Sequence, residues 1–201
     1  MNKKCFLIDA DGVSINSEFF TTKLEKDYGI PLGKTLVFFK GVFQDCLVGK
    51  KDLKEELERV LSYWGWTDGV EALLEFWFEN ENVPNQELLS VIKELKEKGY
   101  AFFLATNNEK YRVNFISENM GFGRIFDQIF NSAAIGHKKP EREFYEFVCD
   151  ELSKLGFSKE DILFFDDDEE NVVGAIKFGI ESVLYYGIKS FNDKIGTILE
   201  F

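Results

Sequence analysis

From residue 86 onward, short apolar runs alternate with stretches whose apolar positions recur every three or four residues. YAFFLA (100–105), FDQIFNSA (126–133), ILFF (162–165) and SVLYY (182–186) read as strands, because each is too short for a buried helix. Between them lie helical patterns. Leu88, Leu89, Ile92 and Leu95 follow Asn85 as N-cap and close at Lys96, Lys98 and Gly99. Val113, Ile116 and Met120 mark the next helix, and Phe144, Tyr145, Val148, Leu152 and Leu155 mark another that ends before Gly156. A last one covers Val172 to Phe178. CFLI (5–8) supplies a further strand near the start. Strands that are apolar almost throughout, separated by helices, imply a parallel sheet covered on both faces. The expected fold is therefore α/β, a doubly wound, Rossmann-like parallel sheet.

The connection out of the first strand breaks that rhythm. Between Gly12 and residue 85 no convincing strand is present. Asn16 or Ser17 is placed to cap a helix with Phe19, Phe20, Leu24 and Tyr28, stopped by Gly29 and Pro31. Leu53, Leu57, Val60 and Leu61 predict a second helix, and Val70, Leu73, Leu74, Trp77 and Phe78 a third with a wide apolar stripe. Residues 14–85 thus read as a small all-helical unit inserted after the first strand, with 1–13 and 86–201 forming the α/β core.

Composition narrows the partners. The 201 residues carry 24 basic and 36 acidic side chains, a formal net charge of −12. That surplus argues against nucleic acid, whose affinity comes from Lys and Arg neutralising phosphates. A small anionic ligand needs a local remedy, a bound cation or a focused basic spot. With 45% hydrophobic and 16% aromatic residues, disorder is not expected. Three widely spaced cysteines, Cys5, Cys46 and Cys149, form neither a disulfide framework nor a zinc motif, and suit a reducing cytoplasm. MNKKCFLIDADG is charged too soon for a signal peptide, and no apolar run reaches a membrane-spanning length. No membrane partner is expected, and oligomeric state is left open.

Chemistry-bearing residues collect at the predicted strand ends, where ligands of open parallel sheets bind. Asp9 and Asp11 follow strand 5–8; Thr106, Asn107 and Asn108 follow strand 100–105; Asp166, Asp167 and Asp168 follow strand 162–165. GHKKP (136–140) places Lys139 in the loop after 126–133. Each has a plain alternative. A lone D-x-D is usually a solvated turn, the Asp166–Glu170 run suits a helix N-terminus, Thr106 suits a helix cap, and Lys139 suits a surface loop. Their joint occurrence at successive strand ends favours a small-molecule site with phosphate chemistry.

The chain resembles the haloacid dehalogenase-like hydrolase superfamily, whose four motifs appear in order: IDADGV (8–13), FFLATNN (102–108), GHKKP with Lys139, and FFDDDEENVVGA (164–175). The insert also sits where that superfamily carries a helical cap. The resemblance implies Asp9 as nucleophile, forming an aspartyl-phosphate, and Asp11 as general acid then base. It implies Mg2+ held by Asp9, the Asp11 backbone carbonyl and Asp167. Asp166 either orients Lys139 or holds a water beside the ion, with Asn171 further out. Thr106, the Asn107 backbone amide and Lys139 would grip the phosphoryl oxygens. The proline spacing selects Lys139 over Lys138.

The implied function is a Mg2+-dependent phosphatase acting on a small phosphorylated metabolite. A phosphomutase shares the D-x-D-G-V start and remains open. A 2-haloacid dehalogenase is less favoured, because halide leaves without a proton and Asp11 would be idle. A non-enzymatic phospho-acceptor domain fits poorly, since its motif order differs and it lacks a helical insert. The sole histidine, His137, reads as a loop residue, and Trp64, Trp66 and Trp77 with Phe76 and Phe78 read as core. Lys40, Lys50 and Lys51 are expected to be solvated, although a closing lid would bring one to substrate.

Overall fold

The computed structural model describes residues 5–16 and 18–198. Five parallel strands form one sheet: β1 (Cys5–Ile8), β2 (Ala101–Thr106), β3 (Gln128–Asn131), β4 (Ile162–Asp166) and β5 (Glu181–Leu184), in the order β3-β2-β1-β4-β5. Strands 2 and 3 lie on one side of β1 and strands 4 and 5 on the other. The reversal of strand order thus falls at the carboxyl end of β1, where doubly wound sheets open a crevice. In register, Leu7 pairs with both Phe103 and Phe164. Side chains alternate between faces with the period of two that a strand imposes. Phe6, Ile8, Phe102, Leu104, Leu163 and Phe165 enter one cluster, while Cys5, Leu7, Phe103, Ala105, Ile162 and Phe164 enter another.

Helices supply the outer layers. In chain order they are α1 (Phe20–Tyr28), α2 (Leu32–Lys40), α3 (Phe43–Leu47), α4 (Leu53–Glu58), α5 (Leu61–Trp64), α6 (Gly69–Asn80), α7 (Gln86–Glu97), α8 (Lys110–Glu118), α9 (Phe122–Ile125), α10 (Ser132–Ile135), α11 (Arg142–Lys154), α12 (Glu169–Phe178) and α13 (Ile188–Ile198). Helix α7 begins where Asn85 accepts from the Leu88 amide. It packs Leu88, Ile92 and Leu95 with Phe191 and Ile195 of α13 on one sheet face. Phe144, Tyr145, Val148 and Leu152 of α11 and Ala175 of α12 cover the other. Glu109 accepts from the Tyr111 and Arg112 amides and so starts α8, whose inward face carries Arg112, Phe115 and Ile116, with Val113 half-buried.

Helices α1 to α6 wrap a third cluster. Trp64, Trp66, Trp77 and Phe78 are buried in it, with Phe76 packed against it. Phe20 stacks on Trp77 with ring centroids 4.3 Å apart. Phe115 of α8 joins the same cluster, so this unit leans on the core beside the sheet's carboxyl edge. Two passages connect them. The Asn16 amide donates to Val83 O, and Asn85 donates through Nδ2 to Val13 O and to the Tyr185 hydroxyl.

Local details differ from the expectations. Helix α1 starts at Phe20 with Phe19 at the N-cap and no side-chain cap bond; Asn16 lies further upstream and Ser17 is outside the described residues. The helix expected across Leu53–Leu61 breaks at Arg59 and Val60 into α4 and α5. The run 126–133 yields only four strand residues, because Asn131 caps α10 by accepting from the Ala134 amide. Among the described residues, no helix is long and apolar enough to cross a membrane. All three cysteines are free.

Candidate active site

Asp9 leaves β1 one residue past Ile8, and its amide still donates to Phe165 O of β4 at 3.0 Å. That bond holds the Asp9 backbone at the end of β1, and the Ala10 amide donates to its Oδ1 at 2.7 Å. Lys139 Nζ donates to Asp9 Oδ1 at 2.7 Å, to Asp166 Oδ2 at 2.6 Å and to Ala105 O at 2.8 Å. Lys139, only 2% exposed, is therefore a buried ammonium with three acceptors and two anionic partners. Burial alone would push its pKa down; Asp9 and Asp166 outweigh this and hold it above the usual lysine range. Burial pushes Asp9 well up, with Asp166 adding to the rise and Lys139 opposing it.

The loop bearing Lys139 is clasped from β2. Asn107 donates through Nδ2 to Lys139 O at 2.9 Å and accepts the Lys139 amide on Oδ1 at 2.8 Å. From the other side α12 presses on Pro140, whose peptide bond with Lys139 is cis. Gly174 permits that approach, since a Cβ there would collide with the Pro140 backbone. Lys138 instead reaches Gln44 of α3, so the two adjacent lysines have separate duties. His137 is exposed and pairs with Glu141 at 3.0 Å.

The acidic run after β4 divides three ways. Asp166 is fully buried; Oδ1 accepts from the Asp168 amide at 2.9 Å and from Asn171 at 3.0 Å. Asp168 caps α12 by accepting from the Glu170 amide. Asp167 lies against Gly12, whose φ of +85° and missing Cβ leave room for the carboxylate. Lost hydration first, then the Asp166 charge, raises the Asp167 pKa. Oxygens of Asp9, Asp166 and Asp167 all lie within 4.8 Å of one another. Three carboxylates faced by one ammonium leave an anionic excess of hard oxygen donors, which suits a small divalent cation.

Asp11 stands apart from this group. Its carboxylate is partly open, accepting from Asn108 Nδ2 at 2.6 Å and lying 3.5 Å from Arg112 Nη2. The same Asn108 amide donates to Thr106 Oγ1 at 2.7 Å, which leaves the buried Thr106 hydroxyl proton free to donate elsewhere. Asp9, Asp11, Thr106, Asn107, Lys139, Asp166 and Asp167 thus share one end of the sheet. Asn108 stands at a predicted strand end with no motif role of its own, and Arg112 lies outside every motif. An arginine in phase with Phe115 and Ile116 on a buried helix face was the available signal for the second.

Beside Asp167 and Gly12 opens a cleft of about 460 Å³, walled by Asn16, Asn85, Glu87 and Tyr186. A second cleft of about 550 Å³ separates the loop Gly49–Leu53 from α8, with Lys50, Lys51 and Lys110 at its rim. Lys51 pairs with Glu56 at 3.6 Å, and Lys40 and Lys50 are exposed. The arrangement places three clustered carboxylates, a fourth carboxylate on a separate mount, a buried ammonium and a hydroxyl at one end of the sheet.

Comparison with known proteins gives this chemistry a family. A family model described as haloacid dehalogenase-like hydrolase matches residues 3–179. The sesquiterpene phosphatase astK of Aspergillus oryzae is 35% identical over 117 residues, 58% of this chain and 55% of that protein, so the match spans about half its length. The pyrimidine 5'-nucleotidase PynA of Streptococcus pneumoniae is 27% identical over 169 residues, covering 80% of this chain and 68% of the other. A haloacid dehalogenase-family enzyme of Bacteroides thetaiotaomicron, bt-2542, superposes with a TM-score of 0.80 at 20% identity, over 97% of this chain and 99% of that one. The same enzyme has been solved with magnesium and inorganic phosphate, where the TM-score is 0.74 at 21% identity over 90% and 93% of the chains. At these identities the structural likeness is one of fold, whereas the family model reaches across most of the sequence. The chain belongs to the haloacid dehalogenase-like hydrolases.

Proposed function

We propose that the protein is a Mg2+-dependent phosphatase that hydrolyses a small phosphorylated metabolite through an aspartyl-phosphate on Asp9. The observation that carries the reading is the double setting of the D-x-D pair. Asp9 sits 2.7 Å from Lys139 among the Asp166 and Asp167 carboxylates, while Asp11 is held separately by Asn108. A nucleophile and a proton carrier need such different surroundings. Phosphatase names among the relatives, and the magnesium and phosphate of the Bacteroides enzyme, support the same reading.

In the first half-reaction an Asp9 Oδ attacks phosphorus and the phosphorus–ester oxygen bond breaks. Asp11, protonated, gives its proton to the departing oxygen, and an alcohol leaves. In the second, the Asp11 carboxylate takes a proton from water as the water oxygen attacks phosphorus. The bond from phosphorus to Asp9 then breaks, inorganic phosphate leaves, and Asp11 is again protonated. Lys139, the Thr106 hydroxyl and the Asn107 amide hold the transferred oxygens throughout. Asp9, Asp167 and the Asp11 carbonyl would hold Mg2+, with Asp166 fixing Lys139 beside it. The ion supplies positive charge that lets an anionic ester approach an anionic carboxylate.

In this reading residues 14–85 act as a cap on the core formed by 1–13 and 86–201. The cap limits which metabolite reaches Asp9, and the protein works in the cytoplasm. The test is phosphate release from a panel of phosphorylated metabolites, with Mg2+ and with a chelator. Metal-dependent release is expected. Metal-independent halide release from a 2-haloacid, with no phosphate release, would overturn the reading.

A further inference from the structure

Arg112 is 1% exposed, yet it belongs to none of the groups that handle the phosphoryl oxygens. Its guanidinium lies beside a pair of contacting rings, 5.6 Å from the Phe78 centroid and 5.8 Å from the Phe115 centroid. Nη1 donates to Phe78 O at 3.3 Å and Nη2 to Glu81 O at 3.2 Å. Helix α6 ends at Asn80, so these carbonyls belong to the last turn of α6 and the residue that follows it. Helix ends leave such acceptors unpaired and carry partial negative charge. The Glu81 carboxylate, 3.6 Å from Nη2, is itself fixed by the Phe20 amide at 3.0 Å and the Trp77 indole at 2.8 Å. Arg112 is thus rooted in core helix α8 and gripped by the helical unit through α1 and α6.

The same Nη2 also faces Asp11. Nη2 lies 3.5 Å from Asp11 Oδ1, while Asn108 holds Oδ2 at 2.6 Å. Two donors on two oxygens fix the plane of a carboxylate, whereas Asn108 alone would leave it free to rotate. A planar guanidinium held by two carbonyls and a carboxylate is suited to setting that plane, which a lysine is not. We propose that Arg112 is a positioning residue that sets the Asp11 carboxylate for proton delivery and makes its orientation depend on the seating of α6. This rests on the phosphatase reading above and adds to it a residue outside its motifs. Glu81 serves as the anchor of Arg112 on the α6 side.

Leaving groups differ in their need for a proton. p-Nitrophenolate departs readily without a proton, while phenolate and alkoxides need one. A displaced acid therefore slows transfer from phenyl phosphate to Asp9 more than transfer from p-nitrophenyl phosphate, while the later hydrolysis step, with Asp11 as base, is common to both. Turnover of the two probes with Mg2+ is compared in wild type, Arg112→Lys, Arg112→Met and Glu81→Gln. The expected result is a kcat/KM ratio, p-nitrophenyl over phenyl phosphate, raised about tenfold or more in the Arg112 variants and in the same direction in Glu81→Gln, because kcat/KM reports transfer to Asp9 and excludes the hydrolysis step that both probes share. That is within the 10²–10⁴-fold contributed by a general acid. Equal loss of kcat/KM on both probes, or a lower melting temperature with the kcat/KM ratio unchanged, overturns the proposal and marks Arg112 as structural. If an Arg112 variant does not fold, the ratio in Glu81→Gln decides alone. Turnover that survives Asp9→Asn overturns the phosphatase reading itself, and the proposal with it.

Discussion

Lys139 donates to Asp9 at 2.7 Å across 130 positions of sequence, and the same ammonium joins Asp9 to Asp166. Neither carboxylate could be buried this way alone. The lysine stands between the strand end that would attack and the strand end that would help hold the ion, and it is inaccessible to water.

Removing it should therefore cost both stability and turnover. Lys139→Ala would leave two carboxylates facing each other in a dry pocket, and breaking a buried pair this way typically costs about 3–5 kcal/mol. The expected outcome is a large fall in the denaturant midpoint and loss of phosphate release. Lys138→Ala, whose partner is Gln44, should change stability by less than about 1 kcal/mol and retain turnover. Equal effects from the two lysines would reverse the assignment made from the proline spacing.

Gly12 offers a finer probe of the cation site. Its φ is +85°, and a methyl group there would collide with Asp167. Gly12→Ala should cost on the order of 1 kcal/mol from backbone strain and push Asp167 out of line with Asp9. Titrating turnover against Mg2+ should give a raised half-saturation concentration. An unchanged metal requirement would remove Asp167 from the ligand set.

Asp52 ties α4 to α8. It caps α4 by accepting from the Lys54 and Glu55 amides, while Oδ2 meets Lys110 Nζ at 2.5 Å and the Tyr111 hydroxyl at 2.8 Å. Burial opposes ionisation, but the Lys110 and Tyr111 hydrogen bonds win and lower its pKa from 3.8 to about 2. A group depressed in the folded state stabilises fully above its unfolded pKa and loses that contribution as pH falls through the folded value. Asp52→Ala should therefore lose on the order of 2 kcal/mol at neutral pH, with the gap to wild type closing as pH drops from about 4 to about 2. Urea midpoints across that range measure it. A gap independent of pH would mean that packing, not charge, carries the contact.

Glu81 should show the opposite slope. Burial first, with the Asp11 charge adding, raises its pKa from 4.5 to about 6 against the Phe20, Arg112 and Trp77 contacts. A raised carboxyl favours folding below its unfolded pKa and loses that advantage as pH rises through the folded one. Glu81→Gln, which does not titrate, should gain stability relative to wild type between about pH 4.5 and 6. Parallel stability curves for the two proteins over that window would contradict it.

Sequence pattern exposed the sheet and most of its helices because strands buried on both faces are apolar throughout. Asn85 and Gly99 bracket α7 by cap chemistry that acts locally. Helix α2, LGKTLVFFK, was not legible: Gly33, Thr35, Val37, Phe38 and Phe39 are poor helix formers. It forms because Phe38 and the partly buried Phe39 pack into the aromatic cluster of the insert. Asp9, Asp166 and Lys139 were visible because strand ends in a parallel sheet converge by topology. Arg112 was not, since its value depends on α6 carbonyls more than thirty positions away, at a distance no periodicity encodes. The split of the acidic run between Lys139, Asp168's cap and the Gly12 face is likewise set by contacts between segments far apart in sequence.

Asp9 itself is expected to accept the phosphoryl group. The direct measurement is steady-state phosphate release by Asp9→Asn with Mg2+, on whichever substrate wild type turns over best, alongside a thermal melt. Asparagine keeps the shape but is not an anionic nucleophile, so turnover should fall by about a thousandfold or more while the protein still folds cooperatively. Turnover within about tenfold of wild type would contradict the account.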